Sequence, residues 1–267
     1  MSEPRAASPG MDRAYVLHSY PYRETSLILQ LWTELHGRFG VVAKGARRPK
    51  SASRSILVPF QPLSLSWFGR GELKTLKSAE PAGPALPLAG AALLAAFYLN
   101  ELLLKLTHRD DPHEGLFAAY DDAIGELRAL SRAGPRAAKP AAEEVEPVLR
   151  RFEVRLLREL GYALELSREA GTHVPIAAER EYLYVVERGP IPAGEGQEPK
   201  ANAVRLRGLT LQHLERGELT DPVTATQAKQ LMRLIIHHVL NGEELATRNL
   251  ARDLHSLEMR TADGVKR

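Results

Sequence analysis

At 267 residues and 29.5 kDa the chain is too long for one small module and suits one large domain or two ordinary ones. Hydrophobic residues at 44% and charged residues at 26% exclude wholesale disorder, and the absence of cysteine excludes a disulfide framework, a cysteine nucleophile, an iron–sulfur cluster and any thiolate zinc site. The net charge of +3 is unevenly spread: residues 1–80 carry 12 Lys and Arg against 6 Asp and Glu, and this basic first third points to a polyanionic partner.

Residues 1–10 lack an apolar signal core and read as a disordered tail, with Met11 as an alternative start. From residue 11 to 80 short apolar runs recur: Ala14 to Leu17, Ser26 to Trp32, Phe39 to Ala43, Leu63 to Phe68, and Leu73 to Leu76. Turn signals separate them at Tyr20-Pro21-Tyr22, His36-Gly37-Arg38, Gly45 to Pro49 and Gly69-Arg70-Gly71. Five strands in about 70 residues, with no long helical pattern between them, predict a small closed barrel, best matched by the five-stranded oligonucleotide-binding (OB) fold, with an SH3-like barrel as the rival.

The period turns helical at Leu88. Pro81 to Asn100 carries no charge, but three prolines interrupt it and alanine dominates the rest, so a buried helix from Leu88 to Leu106 is expected in place of a membrane span. A second helix is expected from Pro112 to Leu130, then a linker from Ala133 to Pro147, then a helix from Pro147 to a stop at Gly161. On that third helix Leu149, Phe152, Leu156 and Leu160 form the expected core stripe, Arg151, Arg155 and Arg158 a basic stripe, and Arg150 shares a line with Val154 and Leu157. Residues 165–205 read as an irregular insertion with one strand pair, Tyr182 to Glu187 with Ala203 to Leu206, and a mobile loop from Gly189 to Pro199. Asp221-Pro222 signals a helix start, and a last helix is expected from Glu243 to Leu257, with 259–267 frayed. The expected class is thus α+β: a barrel domain at 11–80, and a helical domain at 81–258 that carries the insertion.

The densest chemical signal is Lys44 to Arg54, where five cations fall in eleven residues without an acid. Glycine and serine between them leave the backbone open to a phosphate, while Lys and Arg neutralise it and release counterions. A solvated basic loop is the bland reading; its place between two barrel strands favours nucleic acid. The expected DNA-binding set is Arg38, Lys44, Arg47, Arg48, Lys50, Arg54, Trp67, Phe68, Arg70 and Lys74. Trp67 and Phe68 are adjacent in a strand, so one ring faces in and the other is the stacking candidate. No nucleophile–base pair is visible, and Asp110-Asp111 with His113, and Asp121-Asp122, read as caps and surface charge rather than metal ligands. No cofactor and no zinc are expected.

Ala14-Tyr15-Val16-Leu17-His18-Ser19, Tyr22-Arg23-Glu24-Thr25-Ser26-Leu27 and Val42-Ala43-Lys44-Gly45-Ala46-Arg47 resemble the RecO family of bacterial recombination mediators, as do Pro59 to Leu63, Gly69 to Leu76, Tyr98 to Leu102 and Leu149-Arg150-Arg151-Phe152-Glu153. The resemblance covers most of residues 11–165 in collinear order. It implies an OB domain followed by a helical domain, and a non-enzymatic, cytoplasmic and nucleoid-associated role in the RecF pathway of DNA repair. It implies binding of single- and double-stranded DNA, annealing of complementary strands, and work with RecR to load RecA onto strands coated by single-stranded DNA-binding protein (SSB), in functional connection with RecF. It further implies docking of the acidic, phenylalanine-ended SSB tail, for which Arg150, Arg151, Val154 and Leu157 are the expected residues. Some members carry a four-cysteine zinc module after Leu-Gly-Tyr. Here Leu160-Gly161-Tyr162 leads into Arg168 to His173 without cysteine, which resembles the zinc-less branch. The rival reading is a protein–protein adaptor whose basic loop meets an acidic partner.

Overall fold

The computed structural model describes residues 11–133, 142–162 and 164–250, so the tail at 1–10, most of the expected linker and the end of the chain fall outside it. The chain forms two compact units, one built from the chain up to Leu88 with Leu99–Arg128, the other from Ala89–Tyr98 with the chain from Ala129 onward.

In the first unit five strands, β1 (Asp12–Tyr22), β2 (Ser26–Thr33), β3 (Gly37–Ala43), β4 (Leu63–Phe68) and β5 (Leu73–Pro81), close a barrel in the order β1-β2-β3-β5-β4, with a one-turn helix α1 (Ser53–Ile56) between β3 and β4. All neighbours are antiparallel except β3 and β5. This is the architecture of the OB fold. Alternation drives it: Val16, Leu29, Leu31, Phe39, Val41, Leu63 and Leu65 are inside and fully buried. β1 runs five residues past Leu17, because His18 and Tyr20 alternate outward and still pair with Gln30 and Ile28.

Helix α2 (Gly90–Leu106) begins in the second unit and ends in the first, where α3 (Glu114–Ala133) follows. Polar ties hold this part to the barrel. Asn100 donates to the Leu17 carbonyl at 2.8 Å, the Tyr120 hydroxyl donates to Asn100, and Asp121 pairs with Arg13 and accepts from the Tyr15 hydroxyl. Burial, helped by Asp121, holds the Tyr15 phenol far above its ordinary range. Asp121 therefore has a structural task. Residues 99–128 thus form one compact unit with the barrel.

The second unit centres on α4 (Ala142–Glu159), which starts five residues before Pro147. The proline is accommodated because the bond its nitrogen cannot make would reach only the exposed first turn. Val145, Val148, Phe152, Val154, Leu156 and Leu157 are buried, so the apolar face is broader than the expected stripe, and Leu149 and Leu160 lie at its margins. Gly161, at φ +79°, ends the helix as expected.

A three-stranded sheet follows, β6 (Glu181–Val185), β7 (Gly189–Pro192) and β8 (Ala203–Arg207), in the order β7-β6-β8. The expected pair is β6 with β8. β7 corrects the expected mobile loop: Pro190 and Pro192 lack N–H groups, and an edge strand tolerates that. Glu169, buried, accepts from Thr172, Arg180 and the Tyr182 hydroxyl at 2.9–3.2 Å and so ties the start of the insertion to β6.

Helix α5 (Gly208–Arg216) escapes sequence reading because Leu209 and Leu211 alternate like a strand. α6 (Pro222–Val239) has the expected Asp221 cap, which accepts from the Thr224 amide at 2.8 Å, and buries Ala228, Leu231, Met232 and Ile235. The last helix is seen at 246–250, three residues later than expected; its continuation to Leu257 lies outside the described residues. Among the described residues no helix is long and apolar enough to cross a membrane.

Candidate nucleic-acid interface

The basic segment is a folded ledge on the barrel. Ala46 is buried in the barrel core, Gly45 turns the chain at φ +70°, and the amides of Arg48, Ser51 and Arg54 close successive turns onto Gly45, Arg48 and Ser51. The Arg47 amide donates to the Thr25 carbonyl at 2.8 Å, and its guanidinium reaches the carbonyls of Arg23 and Glu24. These bonds latch the ledge to the β1–β2 turn, where Arg23 sits over the Tyr22 ring at 5.2 Å. Lys44, Arg47, Arg48, Lys50 and Arg54 are all exposed, and among the described residues none is in a salt bridge. Anchored backbone with unopposed cations is the arrangement that binding of a polyanion calls for.

The other expected DNA-binding residues divide. Phe68 and Arg70 are exposed at the β4–β5 turn. Three leave the face. Trp67 points inward, 3% exposed, with its ring 4.6 Å from Phe39, so it is core and not a stacking surface. Arg38 donates to the Thr107 hydroxyl at 3.1 Å and carbonyl at 2.7 Å, at the end of α2; burial, with nearby Arg109, pulls its pKa down. Lys74 pairs with Asp110 and lies 4.3 Å from the Phe39 ring centre, an inward register that follows from its pairing with Val41. Tyr20, Arg23 and Lys77, outside the expected set, are also exposed beside the ledge or on the strands that flank it. The signal for Tyr20 is present in the His18-Ser19-Tyr20-Pro21-Tyr22 alternation.

In the second unit Arg150, Arg151, Val154, Arg155 and Arg158 of α4, with Leu214 to Gly217 and Leu219, line a groove of about 220 Å³. Val154, Leu214 and Leu219 give it an apolar floor, and Arg151, Arg155 and Arg158 stand exposed on its rim. Arg155 and Arg158 have acidic neighbours, Glu159 at 2.7 Å and Glu215. Arg150 differs from its neighbours. It is 4% exposed, and its guanidinium is turned to Glu153 at 2.9 Å and Glu146 at 3.6 Å rather than to the surface. Leu157 is fully buried in the core behind it. The network continues from Glu146 to Lys229, and from Glu153 through the Tyr98 hydroxyl to Arg248. Burial raises the Glu153 pKa even though Arg150, Tyr98 and Arg248 oppose the shift.

A closed five-stranded barrel with a cationic ledge, followed in the chain by helices and a small sheet, defines an OB-type protein. Models of the recombination protein O N-terminal and C-terminal domains match residues 11–85 and 88–248. A DNA repair protein RecO from Ralstonia nicotianae is 47% identical over 91% of this chain and 84% of its own length. Those from Nitrosospira multiformis and Methylococcus capsulatus are 46% and 45% identical, over 91% and 93% of this chain and 95% and 97% of theirs. The chain belongs to the RecO family, which places it in DNA repair and recombination.

Proposed function

We propose that this protein is a non-enzymatic DNA-annealing mediator of the RecF pathway, which binds single- and double-stranded DNA and, with RecR, helps load RecA onto SSB-coated strands in functional connection with RecF. The observation that carries the reading is the latched ledge of unopposed cations at Lys44, Arg47, Arg48, Lys50 and Arg54. Phosphate contacts screen the charge of each strand and leave the bases free to test complementarity, so pairing becomes easier without sequence reading. Annealing of complementary oligonucleotides should accelerate without ATP or divalent metal. A protein–protein adaptor would leave the annealing rate unchanged, and a metal-dependent nuclease would degrade the strands once metal was added.

The groove on α4 favours a second contact, with the acidic, phenylalanine-ended SSB tail. Its volume is below the ~300–1,000 Å³ of small-molecule sites and suits one large side chain. The ring would rest on Val154, Leu214 and Leu219, the acidic residues would meet Arg151 and its neighbours, and Arg150 would act from below as a buried positive charge. Arg150→Lys keeps the partner of Glu153 but loses the planar fork, and should weaken a labelled tail peptide less than Arg151→Ala with Arg155→Ala does. Unchanged anisotropy titrations for both variants would move the tail to another surface.

A further inference from the structure

We infer that Glu153 is a positioning residue for the groove on α4: it competes from beneath for the Arg150 charge, so that docking of an acidic peptide is coupled to uptake of a proton by Glu153. The inference rests on the proposed docking of the SSB tail and deepens it to the regulation of that groove.

Arg150 lines the groove yet is only 4% exposed, and its Nη2 faces Glu153 at 2.9 Å and Glu146 at 3.6 Å. Its Nε and Nη1 are buried without a hydrogen-bond partner among the described residues. Unused donors on a buried guanidinium are costly, and an acceptor that enters from the groove satisfies them. Glu153 is fully buried and meets Arg150 and the Tyr98 hydroxyl, at 2.5 Å, through one oxygen, Oε1. Burial holds the Tyr98 phenol far above its ordinary range, so it keeps its proton and donates. The other oxygen, Oε2, has no partner among the described residues. A proton placed there leaves both contacts at Oε1 standing. The charges that act on Glu153 are Arg150 and Glu146 on α4 and Arg248 beyond Tyr98 of α2, with Lys229 of α6 behind Glu146.

When Glu153 is ionised its charge offsets that of Arg150, and an anion in the groove meets a neutral pair. The same pairing keeps the buried guanidinium compensated while the groove is empty. When Glu153 is protonated, Arg150 keeps only Glu146, which is already paired with Lys229, and its charge acts on the groove. An anionic ligand therefore binds the protonated form more tightly, and by linkage its binding raises the Glu153 pKa. Burial has already lifted that pKa above the ordinary glutamate value in the free protein. Affinity is thus highest below the free-state pKa, falls as pH rises through the window between the free and bound values, and levels off above it. Aspartates and the terminal carboxylate of a peptide titrate at about 3.3–3.9, so they stay charged through this window.

The test is isothermal titration calorimetry of the full chain with an acidic peptide ending in phenylalanine, from about pH 5 to 8, in buffers of different ionisation enthalpy. The parent should take up a measurable fraction of a proton per peptide bound, and should bind about fivefold or more tightly at the acid end than at the alkaline end. Glu153→Gln fixes the neutral form, so at high pH it should bind as the parent does at low pH, without that uptake. A purely structural role for Glu153 would instead weaken binding at every pH. The rival acceptor of the proton is His213, beside Leu214 on α5 and 3.1 Å from the Thr224 hydroxyl. Should Glu153→Gln fail to fold, parent uptake that survives in His213→Asn still supports the coupling. Uptake that vanishes in His213→Asn would overturn it, as would a parent that binds with no uptake and no pH dependence. The Arg151→Ala, Arg155→Ala variant separates the two ideas. If it weakens a pH-independent interaction, only the coupling fails. If it binds like the parent, the groove reading fails and the coupling falls with it.

Discussion

Replacing Arg150 with alanine tests the buried network directly. Glu153 is fully buried, and Arg150 is its closest cation, at 2.9 Å. Without Arg150 the carboxylate keeps only the Tyr98 hydroxyl and, through it, Arg248, while Glu146 keeps Lys229. Two charges about 3 Å apart attract by roughly 5 kcal/mol at an effective dielectric near 20, and removal of one partner of a buried pair typically costs about 3–5 kcal/mol. That is a large part of a typical stability of about 5–15 kcal/mol, and should lower the melting temperature by about 6–20 °C.

The pH dependence follows from the direction of the Glu153 shift. Its folded-state pKa lies above the ordinary glutamate value, so between the two the folded state holds more protons and stability falls as pH rises. Loss of Arg150 removes a charge that lowers this pKa, so the window extends upward. The deficit of Arg150→Ala should thus be full at high pH and shrink as pH falls toward the ordinary glutamate range. Adding Glu153→Gln should recover part of it at high pH. Thermal melts followed by circular dichroism across this range decide the matter: a variant that melts with the parent at pH 8, or a deficit that is flat with pH, would refute the reasoning.

Three further outcomes are expected. Arg47→Ala, Arg48→Ala and Lys50→Ala together should weaken single-strand and duplex binding alike, and the log–log salt slope should fall by about 0.7–0.9 for every phosphate that is no longer neutralised; titrations at several salt concentrations check this. Elemental analysis should find no stoichiometric zinc, and chelator should leave the melting temperature unchanged, because the chain has no thiolate to offer. Gly208→Ala should destabilise the second unit by about 1–3 kcal/mol or more, since an added Cβ would fall 1.9 Å from the Ala177 carbonyl oxygen; denaturant unfolding monitors the loss.

The five barrel strands, the helix start at Asp221 and the stop at Gly161 were legible in the sequence because local physics decides them: alternation of apolar residues, a side-chain cap, a glycine that accepts positive φ. The ledge was legible for the same reason, as charge density is a property of the chain itself. Only tertiary structure decided which cations remain available. Arg38 and Lys74 look the same in the sequence as Arg47 and Lys50, yet α2 ends beside one and Asp110 reaches the other. Trp67 and Phe68 swap roles according to one strand's register, which is fixed by pairing with a distant segment. Arg150 shows the same division. The spacing put it on a line with Val154 and Leu157, but only folding surrounded it with Glu146 and Glu153 and turned its charge inward, because a buried carboxylate must find a cation that the sequence does not mark.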